Sequence, residues 1–183
     1  AARPEMDTNK NRTVHLAHLD RQKPARAELI QFMIGNNDYS VLKNVNGENC
    51  CHNSYVLAFD EASPKIPVPF DFDFSGLVNA LYAAPPHHLP ITEVRQRYYT
   101  GLCHPPGILD DAVKLVQSKR AEIFALFQNS KELSSKGRKS AVLYLETFFS
   151  ILDDPRRLKR EVNDRCRGKH LLEEMMEEAT DPT

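Results

Sequence analysis

The run Ile66-Pro67-Val68-Pro69-Phe70-Asp71-Phe72-Asp73-Phe74-Ser75-Gly76 couples a strand-forming segment to two carboxylates spaced two residues apart. On an extended backbone Asp71 and Asp73 point to one side, and Phe70, Phe72 and Phe74 to the other. Two carboxylates on one side repel unless a proton or a cation sits between them. A solvated turn accounts for most acidic pairs, but the bulky apolar flanks tip this one toward a metal or catalytic role. A hard divalent cation takes oxygen ligands from carboxylates and amides, often completed by substrate phosphates.

Upstream, residues 54–59 read as a strand, and 60–64 (Asp-Glu-Ala-Ser-Pro) as a turn. With 66–70 they predict an antiparallel hairpin. Pro67 and Pro69 alternate in the second strand, so their missing N–H groups face away from the partner and only one edge is paired. Residues 43–53 hold four asparagines and a glycine without apolar periodicity, which predicts a surface loop. Pro24 suits a first helical turn, and Leu29, Ile30, Met33 and Ile34 form an apolar stripe over 25–34. Gly35 and Asn36 stop that helix. Asp38 therefore falls in the loop just after it, and Asp38, Asn53 and the Asp71/Asp73 pair all sit at the ends of short apolar runs.

Downstream the pattern is helical. A short stretch over 77–82 and a helix capped by Thr92 and running to 99 flank a Pro- and His-containing loop at 83–90. Longer helices are predicted over 108–127 and 141–152. Pro155 marks a break, and 156–167 is a basic amphipathic segment whose charges read most simply as a solvated face. His15, His18, His87, His88 and His104 are read as packing or surface histidines. Arg95 and Arg97 suit a phosphate partner, with a structural ion pair as the simpler reading. The expected architecture is α+β and mostly helical, with residues 1–20 a flexible lead-in, one domain over 21–168, and a loose acidic tail over 169–183.

The bulk composition excludes some classes. The chain has 183 residues, enough for one domain with a real core, with 24 basic against 25 acidic side chains and a net charge of −1. That balance gives no electrostatic case for nucleic acid or an anionic membrane surface. No apolar run approaches the roughly 20 residues of a membrane span. The chain begins Ala1-Ala2-Arg3-Pro4, without a signal pattern, which is read as a piece of a longer protein. Cys50, Cys51, Cys103 and Cys166 match no zinc spacing. Two readings stand for them: reduced thiols, or a disulfide from Cys50 or Cys51 to Cys103 or Cys166 in an oxidising compartment.

Taken in order, Phe32-Met33-Ile34-Gly35-Asn36-Asn37-Asp38-Tyr39-Ser40, His52-Asn53, the segment 67–83 and Arg95-Gln96-Arg97-Tyr98-Tyr99-Thr100-Gly101-Leu102-Cys103 resemble the CotH (spore-coat) protein-kinase-like family, in its C-terminal lobe and particularly its bacterial members. The likeness runs over about 25–168. It implies a kinase-like C-lobe with the hairpin at the active-site rim, and ATP- and Mg²⁺-dependent phosphoryl transfer to a hydroxyl acceptor. Asp38 would then be the catalytic aspartate, with Asn53 and Asp73 or Asp71 as metal ligands. The kinase pattern places four residues between aspartate and asparagine. Here 14 residues separate Asp38 from Asn53, so Asn44 and Asn46 stand as alternative ligands. A Gly-rich phosphate loop and a VAIK-type lysine, which the family carries in an N-terminal lobe, are not found. Family relatives often look exported.

Two other readings compete. One is a kinase-like binding or interaction module without turnover. The other takes Asp71-Phe72-Asp73 as the DxD of a metal-dependent phosphohydrolase, which requires a parallel sheet of alternating strands and helices.

Overall fold

The computed structural model describes residues 7–8, 14, 18–42, 51–60 and 62–173. It is α+β, as expected. In chain order the elements are β1 (Asp7–Thr8), α1 (Lys23–Ile34), β2 (Ser54–Ala58), β3 (Ile66–Pro69), α2 (Ile108–Ser118), α3 (Arg120–Gln128), α4 (Ser135–Leu152) and α5 (Pro155–Leu158), which runs on into a π-helical turn, Lys159–Asn163. No described helix is long and apolar enough to cross a membrane.

The expected hairpin forms. β2 pairs antiparallel with β3 in the register Ser54↔Pro69, Tyr55↔Val68, Val56↔Pro67 and Leu57↔Ile66. Phe70 N–H continues the ladder by donating to the Asn53 carbonyl at 3.0 Å. Even-numbered residues of β3 therefore aim their N–H groups at β2, and Pro67 and Pro69 sit on the outer edge. That edge is closed at its start, where Lys65 N–H donates to the His18 carbonyl and Asp20 N–H to the Lys65 carbonyl, both at 2.8 Å. From the stretch read as a lead-in, β1 adds a third strand on the far side of β2, and Val14 and Leu19 join a small core with Tyr39, Val41, Val56 and Leu102.

The main core lies between α1 and the C-terminal helices. Leu29, Phe32, Tyr99, Leu145, Phe148 and Val162 are buried in it, and Phe32 meets the rings of Tyr99 and Phe148 edge-on. Helix α1 departs from the predicted stripe. Ile30 is 43% exposed, whereas Glu28 and Gln31 are buried. The helix is enclosed on several sides, so polar residues enter the interior where partners exist. Gln31 accepts from the Asn36 side-chain amide at 3.0 Å. Glu28 meets His104 Nε2 at 2.7 Å, and the Tyr99 hydroxyl donates to it at 3.5 Å. His104, expected at the surface, is an interior residue for this reason.

Other expectations are corrected downstream. The segment expected as one helix over 108–127 is two, interrupted at Lys119. Residues 77–82 and 92–99 form turns and bends rather than helices. Gln96 explains the second case: its side-chain carbonyl takes the backbone N–H groups of Thr92 and Glu93 at 2.6 and 3.0 Å, donors a helix would orient along its axis. Thr92 accordingly caps no helix. Arg97 forms no ion pair among the described residues. Its guanidinium donates to the carbonyls of Phe32 (3.2 Å), Met33 (3.0 Å) and Tyr144 (2.6 Å) and to the Thr147 hydroxyl (2.5 Å), with its carbon 3.6 Å from the Tyr144 ring centroid. It thus satisfies carbonyls at the C-terminal end of α1, where a cation also suits the helix dipole, and ties α1 to α4. Burial pushes Arg97 down to about 10, still cationic at neutral pH.

The cysteine pairing differs from expectation. Cys103 bonds to Cys166, with Cα atoms 4.8 Å apart, rather than either of them to the upstream pair. Cys51 is itself disulfide-bonded. The Cys103–Cys166 link is reinforced by Cys103 N–H to the Arg167 carbonyl (2.8 Å) and Arg167 N–H to the Gly101 carbonyl (2.9 Å). Of the tail over 169–183, residues 169–173 are helical, and the rest lies outside the described residues.

Candidate active site

The two motifs read from sequence meet through their backbones. Gly35 ends α1 in the left-handed region, at φ 66°, where glycine meets no steric penalty. Gly76 N–H donates to the Gly35 carbonyl at 3.0 Å, and Leu77 N–H to the Ile34 carbonyl at 2.9 Å. The last carbonyls of α1 are thereby used to dock the Asp71-Phe72-Asp73 turn. The buried Asn36 side chain accepts from Asp38 N–H at 3.0 Å, a local Asx turn that points Asp38 away from the helix.

Asp38 sits in a hydrogen-bonded triad. Its Oδ1 lies 2.8 Å from His52 Nε2, and its Oδ2 accepts from Asn53 Nδ2 at 3.0 Å. The same Asn53 amide donates to the Asp38 backbone carbonyl at 2.8 Å. Backbone pairing between Ser40 and His52, at 2.8 and 3.1 Å, holds the two segments side by side. The Asp38 and His52 side chains are about one-third exposed. Across the 14 intervening residues, Asn53 reaches Asp38 directly; residues 43–50, most of the expected surface loop, lie outside the described residues. Asn44 and Asn46 lie outside the described residues.

Asp71 and Asp73 are also brought together, though by a turn and not by an extended strand. Hydrogen bonding to the Asp73 carboxyl, and then the negative charge of Asp73, raise Asp71 above the usual carboxylate range. The charge of Asp38 acts in the same direction and that of His52 against it, so Asp71 lies within electrostatic reach of the triad. Asp73 is lowered, chiefly because the Tyr82 hydroxyl donates to its Oδ2 at 2.9 Å. Its Oδ1 accepts from Phe74 N–H at 3.0 Å. Asn53 and Asp71 both have positive φ, 47° and 57°. Asn and Asp tolerate that region better than other side chains, and such strain clusters at functional sites.

The structure therefore brings Asn53 onto Asp38 and sets Asp71 beside Asp73 and within electrostatic reach of Asp38. It adds two that sequence reading missed. His52 was signalled only as the neighbour of Asn53, and Tyr82 by nothing beyond its place in the same motif. A cleft of about 840 Å³ opens beside Asp38 and His52, bounded further on by Phe74, Tyr98, Arg165 and Arg167. His87 and His88 line it as well.

As a test of cation chemistry, Asp71 and Asp73 supply a pair of carboxylates whose charges act on each other, and Asn53 is tied through its carbonyl to Phe70, the residue before Asp71. Among the described residues no set of three or more His, Cys, Asp or Glu is preformed for a metal. One or two carboxylates completed by waters and substrate phosphates are how Mg²⁺ is commonly held, so these residues could supply part of such a set but no all-protein cage. Comparison of the chain with family models, with curated proteins and with solved structures returns no match.

Proposed function

We propose that this chain is the C-terminal lobe of a kinase-like phosphotransferase, as its resemblance to the CotH family implies. The observation that carries the reading is the convergence of the Asp71–Asp73 carboxyl pair on the Asp38–His52–Asn53 triad. In this reading Asp38 accepts the proton of an acceptor hydroxyl. The hydroxyl oxygen forms a bond to the γ-phosphorus of ATP, the bond from that phosphorus to the β,γ-bridging oxygen breaks, and ADP leaves with that electron pair. His52 and Asn53 orient the Asp38 carboxylate, which has four lone-pair sites and so retains accepting capacity beyond these two bonds. Asp71, Asp73 and Asn53 would hold Mg²⁺, whose charge would offset that of the phosphates. Tyr82 keeps Asp73 ionised and oriented. The disulfide supports an oxidising compartment, and with it export.

The binding-module reading draws support from the same triad, since a carboxylate already bonded by His52 and Asn53 also serves as a structural clasp. The phosphohydrolase reading draws none: the described strands form one antiparallel sheet, β1-β2-β3, and Asp71 follows an edge strand of it.

Paramagnetic Mn²⁺ is the direct probe. Line broadening of backbone amides around 53 and 71–74, abolished in Asp73→Asn, is the expected result, together with Mg²⁺-dependent ATP binding by calorimetry that the same substitution removes. Broadening elsewhere, or broadening that survives Asp73→Asn, refutes the metal assignment and leaves the binding module.

A further inference from the structure

The cleft beside Asp38 is also lined by charge of the opposite sign, and the proposed phosphotransfer does not use it. Arg165 and Arg167 both line it. Arg167 is fixed through its Nε, which donates to the Thr100 carbonyl at 2.5 Å. Its terminal nitrogens have no hydrogen bond or ion pair among the described residues. Arg165 pairs with Glu161 at 3.0 Å and lies over the Tyr98 ring, its guanidinium carbon 4.7 Å from the centroid. One guanidinium is thus held in place while its donor fork stays free, and the other is partly neutralised. The lining also includes apolar and aromatic side chains, Phe74, Ile91 and Val94, and the imidazoles of His87 and His88. The volume of about 840 Å³ suits a small molecule.

We infer that this cleft is the acceptor site and takes a small anionic hydroxy compound, its carboxylate or phosphate on Arg167 with Arg165 in support, and its hydroxyl facing Asp38. This rests on the phosphotransferase reading for the role of the hydroxyl, but the anion site stands without it. A planar fork of donors matches both oxyanions in two-point contact. A guanidinium with free donors and a carboxylate base lining the same partly apolar cleft suit a molecule with one anionic end and one hydroxyl end. A cationic acceptor would meet the positive charge of Arg167, and a purely apolar one would leave its donors unmatched.

The test is an NMR titration of the full chain, without nucleotide or metal, using glycerol 3-phosphate, glycerate and inorganic phosphate. Glycerol 3-phosphate or glycerate should shift amides near 38, 52, 98–100 and 165–167, and Arg167→Gln should weaken that binding at least tenfold. Arg165→Gln, which keeps the Thr100 contact, should weaken it several-fold and serves if the first variant does not fold. Glycerol 3-phosphate should bind more tightly than inorganic phosphate, and Asp38→Asn should shrink that difference. Binding by both organic anions makes the site a general oxyanion site, and binding by one alone names its group. No shift with either, shifts elsewhere, or affinities unmoved by both arginine variants overturn the inference. Because no metal is present, loss of Mn²⁺ binding at Asp73 would sink the phosphotransferase reading alone and leave this result unaffected.

Discussion

Gly35 and Gly76 meet backbone to backbone, 3.0 Å from amide to carbonyl, under the phenol oxygen of Tyr144. A Cβ on Gly35 would stand 3.1 Å from Tyr144 Cζ and closer still to its hydroxyl oxygen, and one on Gly76 would stand 2.7 Å from the Val94 carbonyl oxygen. This contact brings the catalytic-loop candidate and the carboxylate turn into one site. Gly76→Ala should therefore destabilise the fold by about 1–3 kcal/mol, the range for forced overpacking, and broaden signals from residues 71–74. Urea denaturation with a parallel amide spectrum measures both.

The Tyr144 hydroxyl is buried without a hydrogen-bond partner among the described residues. Removing an unsatisfied polar atom relieves its desolvation cost, so Tyr144→Phe should change stability by less than about 1 kcal/mol. In a Gly35→Ala background the same substitution should recover part of the loss, since it deletes the atom that the new methyl strikes. A remainder should persist from the left-handed backbone at Gly35. A double-mutant cycle decides it: strict additivity would contradict the contact.

Arg97→Lys should cost roughly 3 kcal/mol, because one ammonium cannot reach the carbonyls of Phe32, Met33 and Tyr144 together, and buried acceptors left unpaired are costly. Thermal unfolding should show a lowered midpoint. An unchanged midpoint would mean that the cation over Tyr144 carries the contact by itself.

The carboxylate pair predicts a pH dependence. Asp71 is raised in the fold, so the folded chain binds its proton more tightly than the unfolded chain does. Its contribution to stability is present at low pH and is lost as pH rises through its raised range. Cation binding should run the other way and weaken as pH falls, since the proton competes for the same oxygens. Asp73→Asn should return Asp71 toward the ordinary carboxylate range, and Tyr82→Phe should raise Asp73. Carbon-13 titration of the carboxyl groups reads each directly.

Replacing Cys103 and Cys166 with alanine removes a link between residues 63 apart in sequence. The loss should be about 2–4 kcal/mol. It should also blunt the proposed anion site, because the bond fastens the strand-like contact that holds Arg167 against Thr100. Titration of the double variant with glycerol 3-phosphate measures that second effect.

What the sequence revealed followed local rules. The hairpin came from β-rich runs around a turn, the end of α1 from Gly35, and the edge position of β3 from its prolines. Cys103 and Cys166 were both named, but spacing carries no information on which cysteines meet. The buried Glu28 and His104 were invisible because their partners come from segments 76 residues apart. The stretch 92–99 turns instead of coiling into a helix because Gln96 satisfies its neighbours' backbone, a competition that apolar periodicity does not register. Asp38 and Asn53, with 14 residues between them, give no local sign of contact, because that contact depends on the backbone pairing of Ser40 with His52.

The outer edge of β3 bears on how these molecules behave when crowded. With Lys65 N–H already engaged by His18 and with Pro67 and Pro69 next in line, that edge presents carbonyls but no amide donors facing outward. A second extended chain would find half of its ladder missing. Growth of intermolecular sheets from this border is thereby blocked, even though exposed Tyr55, Val68, Phe70 and Phe72 supply the aromatic and β-branched surface that fibrils favour.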